Sequence, residues 1–169
     1  MNDLTPGTMS GPQQAAVENP RQFITFTLDA QEYGVDIMRV REIKGWTDTT
    51  ALPQSPSYVR GVINLRGIIV PILDLRARFG MGTTQPTRMH VVIIVITDTR
   101  TTGLLVDAVS DIITVEPGTI RPVPRMDEMP TEDSFLDGLV ALDDRMVTLV
   151  SLDGLIGAVE PGTAAARTH

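Results

Sequence analysis

Catalysis needs a placed acid, base, nucleophile or metal ligand, and this chain offers few. Its two histidines are His90, at the mouth of an apolar run, and His169, the last residue. A Ser-His-Asp arrangement or a histidine metal site would rest on His90 alone, and a lone histidine in that position reads as structural. There is no cysteine, which excludes disulfides, thiol chemistry and cysteine metal sites. Neither G-x-x-x-x-G-K-[ST] nor G-x-G-x-x-G occurs, so no phosphate cradle is indicated. The adjacent carboxylates Asp143-Asp144 fall at a predicted turn, where Asp is favoured for local hydrogen bonding alone. No reaction, metal or cofactor is therefore expected, and what remains is recognition.

The stretch that organises the rest is GVINLRGIIVPILDL, Gly61 to Leu75. Two β-branched and leucine-rich runs flank Arg66-Gly67, and Gly at the second turn position supplies the positive φ of a type II or I′ turn, so a hairpin is predicted. Its strands are apolar on both faces, as in a buried strand pair. The cation at its tip, Arg66, is either solvated or paired with Glu42, the acid of the preceding apolar segment, ordering an edge.

The 169 residues are 42% hydrophobic and only 4% aromatic, so the core must be built from Val, Ile and Leu, and a mainly β fold is favoured. The formal net charge is −7, with the basic residues scattered singly, which argues against nucleic acid or an anionic membrane surface as the main partner. No apolar run approaches the length of a membrane span and no signal peptide is visible. A cytoplasmic protein is expected.

In chain order, residues 1–20 read as a disordered tail. Arg21 to Ile37 forms a β-hairpin turning at DAQE. Met38 to Lys44 is too short to separate a helical turn from a third strand. Gly45 to Ser57 is loop, Ser57 to Arg60 a single helical turn, and the residues after Leu75 a turn and loop. Val91 to Thr97 (VVIIVIT) should be a central strand, with Gly103 to Val109 its antiparallel partner and Asp111 to Val115 an extension. Residues 121–134 are a proline-rich acidic loop, read as solvated surface, not a metal cage. Phe135 to Leu152 gives a last hairpin turning at Asp143-Asp144, and residues 158–169 form a flexible tail.

The sequence also repeats itself. Gly61, Leu65, Val70 and Leu75 recur without a gap as Gly138, Leu142, Val147 and Leu152, 77 positions on; Gly34, Val40, Glu42 and Ile43 are matched by Gly103, Val109, Asp111 and Ile112, 69 positions on. The duplication predicts two small barrels of about five strands each, packed along one shared interface. Val40 and Val109 should occupy matching places. Ile37, Val40, Val109 and Ile112 are then either ordinary core side chains or the lining of a groove suited to an amphipathic helix.

Taken together, EYGVDIMRVREI, GVINLRGIIVPILDLRARFG, GLLVDAVSDI and GLVALDDRMVTLV closely resemble a CheW-type chemotaxis coupling protein. NLRG followed by P-x-x-D-L-R is the specific part of that signal, and the likeness runs from about Arg21 to Gly157. It implies two five-stranded SH3-like β-barrels around a shared core over 21–157. It also implies a non-enzymatic adaptor joining the cytoplasmic tip of methyl-accepting chemoreceptors to the regulatory domain of the CheA histidine kinase, recruited to membrane receptor arrays. The receptor groove it implies is lined by Ile37, Val40, Val91, Val109 and Ile112, with Glu42, Gly61 and Arg66 at its edge; kinase contacts are not assigned. A fragment of the kinase's own CheW-like domain would need ATP-binding and phosphotransfer domains for which 169 residues leave no room. An OB-like barrel has the right size but lacks the basic and aromatic surface that oligonucleotides require.

Overall fold

Two strands have a core on both sides. In the computed structural model, which describes residues 19–98, 100–124 and 135–157, strand β6 (Val91–Thr97) turns Val92 and Ile94 into one hydrophobic cluster and Ile93 and Val95 into another. Strand β1 (Arg21–Leu28) likewise buries Phe23 on one side and Ile24, Phe26 and Leu28 on the other. A strand with one wet face would alternate with polar residues; β6 is apolar from Val91 to Ile96, while β1 carries Thr25 and Thr27 on the side of Phe23, Thr25 fully buried.

The remaining strands are β2 (Gln31–Asp36), β3 (Val40–Gly45), β4 (Val59–Leu65), β5 (Ile68–Asp74), β7 (Arg100–Val106), β8 (Ala108–Val115), β9 (Leu136–Leu142) and β10 (Arg145–Val150). Short helices α1 (Leu75–Arg78) and α2 (Leu152–Gly157) follow β5 and β10. The strands form two five-stranded sheets, ordered β8-β1-β2-β10-β9 and β3-β6-β7-β5-β4. The fold is mainly β, with two five-stranded barrel-like units. Isolated bridges, Thr50 to Val62 and Arg121 to Leu139, tie the segments after β3 and β8 to the far edge strands of their own sheets.

The two sheets are built on one plan, and each draws strands from both halves of the chain. Replacing β1, β2, β8, β9 and β10 by β6, β7, β3, β4 and β5 turns one strand order into the other. The register obeys the same rule. Phe26 pairs with Val109 and Thr25 with Asp111 across a bulge; Val95 pairs with Val40 and Ile94 with Glu42 across the equivalent bulge. The parallel pairs Leu149–Gly34 and Ile72–Gly103 also correspond. Chain crossings after β2 and β7 interlock the halves, so neither barrel can close without the other half's strands.

Three clusters result. Val70, Ile72, Val92 and Leu105 fill one barrel, Phe23, Val140, Val147 and Leu149 the other. The largest lies between them, joining β1, β2, β6 and β7 with Phe135, Leu152, Leu155 and Ile156. Gly34 and Gly103 serve the close approach of the parallel strands: a Cβ at Gly34 would sit 3.1 Å from Leu149 Cδ2, and one at Gly103 2.6 Å from Ile72 Cδ1.

Several local expectations change. Ile37–Arg39 is a 3-10 turn, capped by the Asp36 carboxylate accepting from the Met38 amide at 2.9 Å, and β3 begins at Val40; the segment holds both of the forms its sequence allowed. Ser57–Arg60 is a turn into β4 rather than a helical one, with the Val59 amide bonded to the Pro56 carbonyl. The partner of β6 ends at Val106, and Val109 belongs to β8. The β4–β5 hairpin is not buried throughout, since Ile68 and Ile69 next to its tip are exposed. The expected tail over residues 1–20 lies almost wholly outside the described residues, as do the tail from residue 158 and most of the acidic loop.

Candidate functional site

At the rim of the shared core between the barrels, apolar residues of two edge strands meet solvent. Among the described residues, strand β3 pairs on one side only, with β6, and β8 on one side only, with β1. Opposed residues of an antiparallel pair project to the same face, so Val40 and Ile43, opposite Val95 and Ile93, share the face of the central core. Val109 and Ile112, opposite Phe26 and Ile24, do the same in the other half. Val40 and Val109 are half-buried against that core, while Ile43 and Ile112 beside them are 43% and 53% exposed. Ile37 and Val91 also pack, half-buried, on the same cluster. Of the eight residues singled out in the sequence, Ile37, Val40, Val91 and Val109 thus pack on the central cluster, and Ile112 lies on the corresponding face of β8.

Glu42 projects to the other side of β3, opposite Ile94, and accepts a hydrogen bond from Arg66 Nη2. Arg66 has φ 52° and Gly67 φ 90°, the two positive values of a type I′ turn, and the Gly67 amide donates to Asn64 Oδ1 at 2.7 Å. The Arg66 bond holds the Glu42 carboxyl below the usual carboxylate range against the opposing effect of desolvation, with the charges of Arg66, Lys44 and Arg41 adding to it. The other barrel carries an analogous arrangement: Arg145, at the start of β10, lies 3.7 Å from Asp111 on β8 and 3.4 Å from Glu32. Asp111 is the counterpart of Glu42, but its arginine comes from two residues beyond the counterpart of Arg66, which is Asp143.

Gly61 is not on this surface. It is buried in β4 with φ 139°, against the carbonyl group of Thr50, whose carbon would lie 2.8 Å from an added Cβ. Its requirement is that of a chain crossing.

Two residues of the rim were passed over in the sequence. Ile43 could have been found, because it is the repeat partner of Ile112. Arg76 had no such signal. From α1 it donates to both Asp107 oxygens at 3.0 and 2.7 Å and lies 2.8 Å from Asp29, tying one barrel to the β1–β2 turn of the other. Burial opposes ionisation of Asp107, but the Arg76 bond, the Asp29 amide and the charges of Arg76 and His90 outweigh it and hold its carboxyl below the usual range. His90 joins this cluster, its Nδ1 accepting from the Thr87 amide at 3.0 Å and its Nε2 3.7 Å from Asp107.

Among the described residues no group of His, Asp and Glu is arranged to hold a metal ion. No helix among them is long and apolar enough to cross a membrane. The surface offers apolar contact, the chemistry of docking.

Comparison with known proteins gives consistent results. Residues 22–160 match the family model described as CheW-like domain. The chain is 45% identical over 156 residues to a probable chemotaxis protein CheW of Rhizobium etli, covering 92% of this chain and 100% of that protein. It is 48% identical over 140 residues to the chemotaxis protein CheW of Rhizobium meliloti, covering 83% and 90%. The crystal structure of the scaffolding protein TtCheW from Thermoanaerobacter tengcongensis superposes with a TM-score of 0.73 at 33% identity, covering 82% of this chain and 89% of that one.

Proposed function

The chain belongs to the CheW-like family of chemotaxis proteins, and we propose that it is a non-enzymatic cytoplasmic adaptor coupling chemoreceptor tips to the CheA histidine kinase. The observation that supports this most directly is the pair of equivalent edge strands, β3 and β8, presenting Val40, Ile43, Val109 and Ile112 at the rim of one shared core. Apolar side chains left half-covered beside a rigid core suit an amphipathic helix, such as the end of a receptor coiled coil. Glu42 and Arg66, paired on the other side of β3, hold the strand that carries this surface in place.

The kinase would be engaged elsewhere, through its own CheW-like regulatory domain, leaving the groove free for the receptor. An adaptor of this kind is recruited to membrane receptor arrays through its partner, without inserting in the bilayer.

Co-purification of the full chain with a cytoplasmic receptor fragment and CheA, followed by measurement of kinase autophosphorylation, tests the proposal. The adaptor should be required for the receptor fragment to change the phosphorylation rate. A rate that responds equally without it, or salt-dependent capture of single-stranded DNA in place of the receptor, overturns the reading.

A further inference from the structure

The two edge strands repeat each other's apolar residues but not their charges. Val40 and Ile43 correspond to Val109 and Ile112, whereas Arg39, Arg41 and Lys44 correspond to Ala108, Ser110 and Ile113. Lys44, opposite Val92, projects with Glu42 to the other side of β3, so the β3 side of the groove carries two cations, Arg39 and Arg41, that the β8 side lacks, in a chain of formal net charge −7. Arg39 and Arg41 line an open depression of about 470 Å³ together with Met38, Val40, Ile96 and Asp98. Asp98 is the one carboxylate there against two guanidinium groups. Arg39 is partly committed, donating to the Ile96 carbonyl at 3.4 Å. Arg41 is exposed, and the neighbouring Glu42 is already engaged by Arg66. On β8 the equivalent positions, Ala108 and Ser110, are uncharged, and Asp111 beside them lies 3.7 Å from Arg145.

Apolar contacts of equal pattern on two walls do not tell a bound helix which way to face, while unequal charge does, because electrostatic complementarity fixes register and orientation more than it adds affinity. We propose that the β3 wall orients the docked partner: the occupant is an amphipathic α-helix whose apolar stripe seats on Val40 and Val109 and whose Asp- or Glu-bearing flank lies along Arg39 and Arg41. The inference rests on the adaptor reading and adds to it the charge of the partner and the wall that reads it. An acidic flank laid along β8 instead would find no cation at Ala108 or Ser110.

The test is the affinity of the full chain for a chemoreceptor cytoplasmic fragment, measured across a range of salt concentration for the unaltered protein, Arg41→Glu, Arg41→Lys, Ser110→Glu and Val109→Lys. Arg41→Glu should weaken binding by about tenfold, the scale of one charge-assisted contact, and flatten its salt dependence. Arg41→Lys should bind as the unaltered protein does, and Ser110→Glu should be near neutral. Each variant should keep a single cooperative melt. Arg41→Glu leaving both affinity and salt dependence unchanged, or Ser110→Glu weakening binding as much, overturns the orienting role while leaving the groove in place. Retained binding by Val109→Lys overturns the groove itself.

Discussion

Arg66 at the tip of the β4–β5 hairpin donates to Glu42 on β3, linking the two ends of a five-stranded sheet whose order runs from β3 to β4. The bond spans the open edge of that barrel at its mouth, where Arg66 keeps 68% of its side-chain surface exposed. An ion pair so exposed does little for stability, because water screens it and two long side chains must be held still. What it can do is keep β3 and the hairpin tip in a fixed relation.

Arg66→Ala should accordingly leave the thermal midpoint unchanged within error and weaken the receptor's control of the kinase. Calorimetry and a reconstituted phosphorylation assay read the two quantities separately. A large drop in midpoint would show instead that the pair holds the barrel together.

Val109→Lys places a charge where a methyl-bearing side chain meets the shared core. The site is half-buried, so the lysine stem can lie along the apolar surface with its ammonium in water, and folding should remain cooperative. Pull-down by a receptor cytoplasmic fragment should be lost, since a bound helix would bury the ammonium. Val40→Lys, the equivalent change in the other half, should behave alike; the two variants diverging would break the equivalence between the walls.

Gly103→Ala should destabilise the fold by about 1–3 kcal/mol, the range for overpacking a closed core, because its Cβ would meet Ile72 Cδ1 at 2.6 Å and Val92 Cγ1 at 2.8 Å. Gly34→Ala, with contacts of 3.1 and 3.3 Å, should cost less. Gly61→Ala should be worse than either, since its obstacle is the Thr50 backbone and its φ is 139°; urea titration of the three variants gives the order.

Asp107 supplies a pH dependence whose sign is fixed by its lowered pKa. A carboxyl depressed in the folded state stabilises above its unfolded value of about 3.9 and ceases to do so as pH falls through the folded value. Asp107→Asn should cost about 1–2 kcal/mol at neutral pH, where Arg76 and the Asp29 amide lose a charged acceptor. The gap between variant and unaltered protein should close below about pH 4. A gap constant down to pH 3 would mean that the carboxylate's charge is not what matters.

Composition, alternation and the two offsets determined a good deal unaided. They gave a β fold, two related barrels packed along one interface and a hairpin turn at Arg66-Gly67, with type II and type I′ both open. They also raised the pairing of Arg66 with Glu42, because strand chemistry is local and a duplicated pattern survives in apolar spacing. The equivalence of Val40 and Val109 was likewise readable from the 69-residue separation.

Tertiary structure alone decided which half supplies which strand to each barrel, because β3 and β8 carry the same pattern and either could pair with β1 or β6. It decided that Ile68 and Ile69 stay exposed while Ile93 and Ile94 do not, although all four sit in apolar runs: burial depends on what packs opposite a strand, not on the strand. It moved Gly61 from the groove to a chain crossing, and it assembled Arg76, Asp29 and Asp107 from three distant segments. Such a cluster has no period and no spacing, only proximity created by the fold.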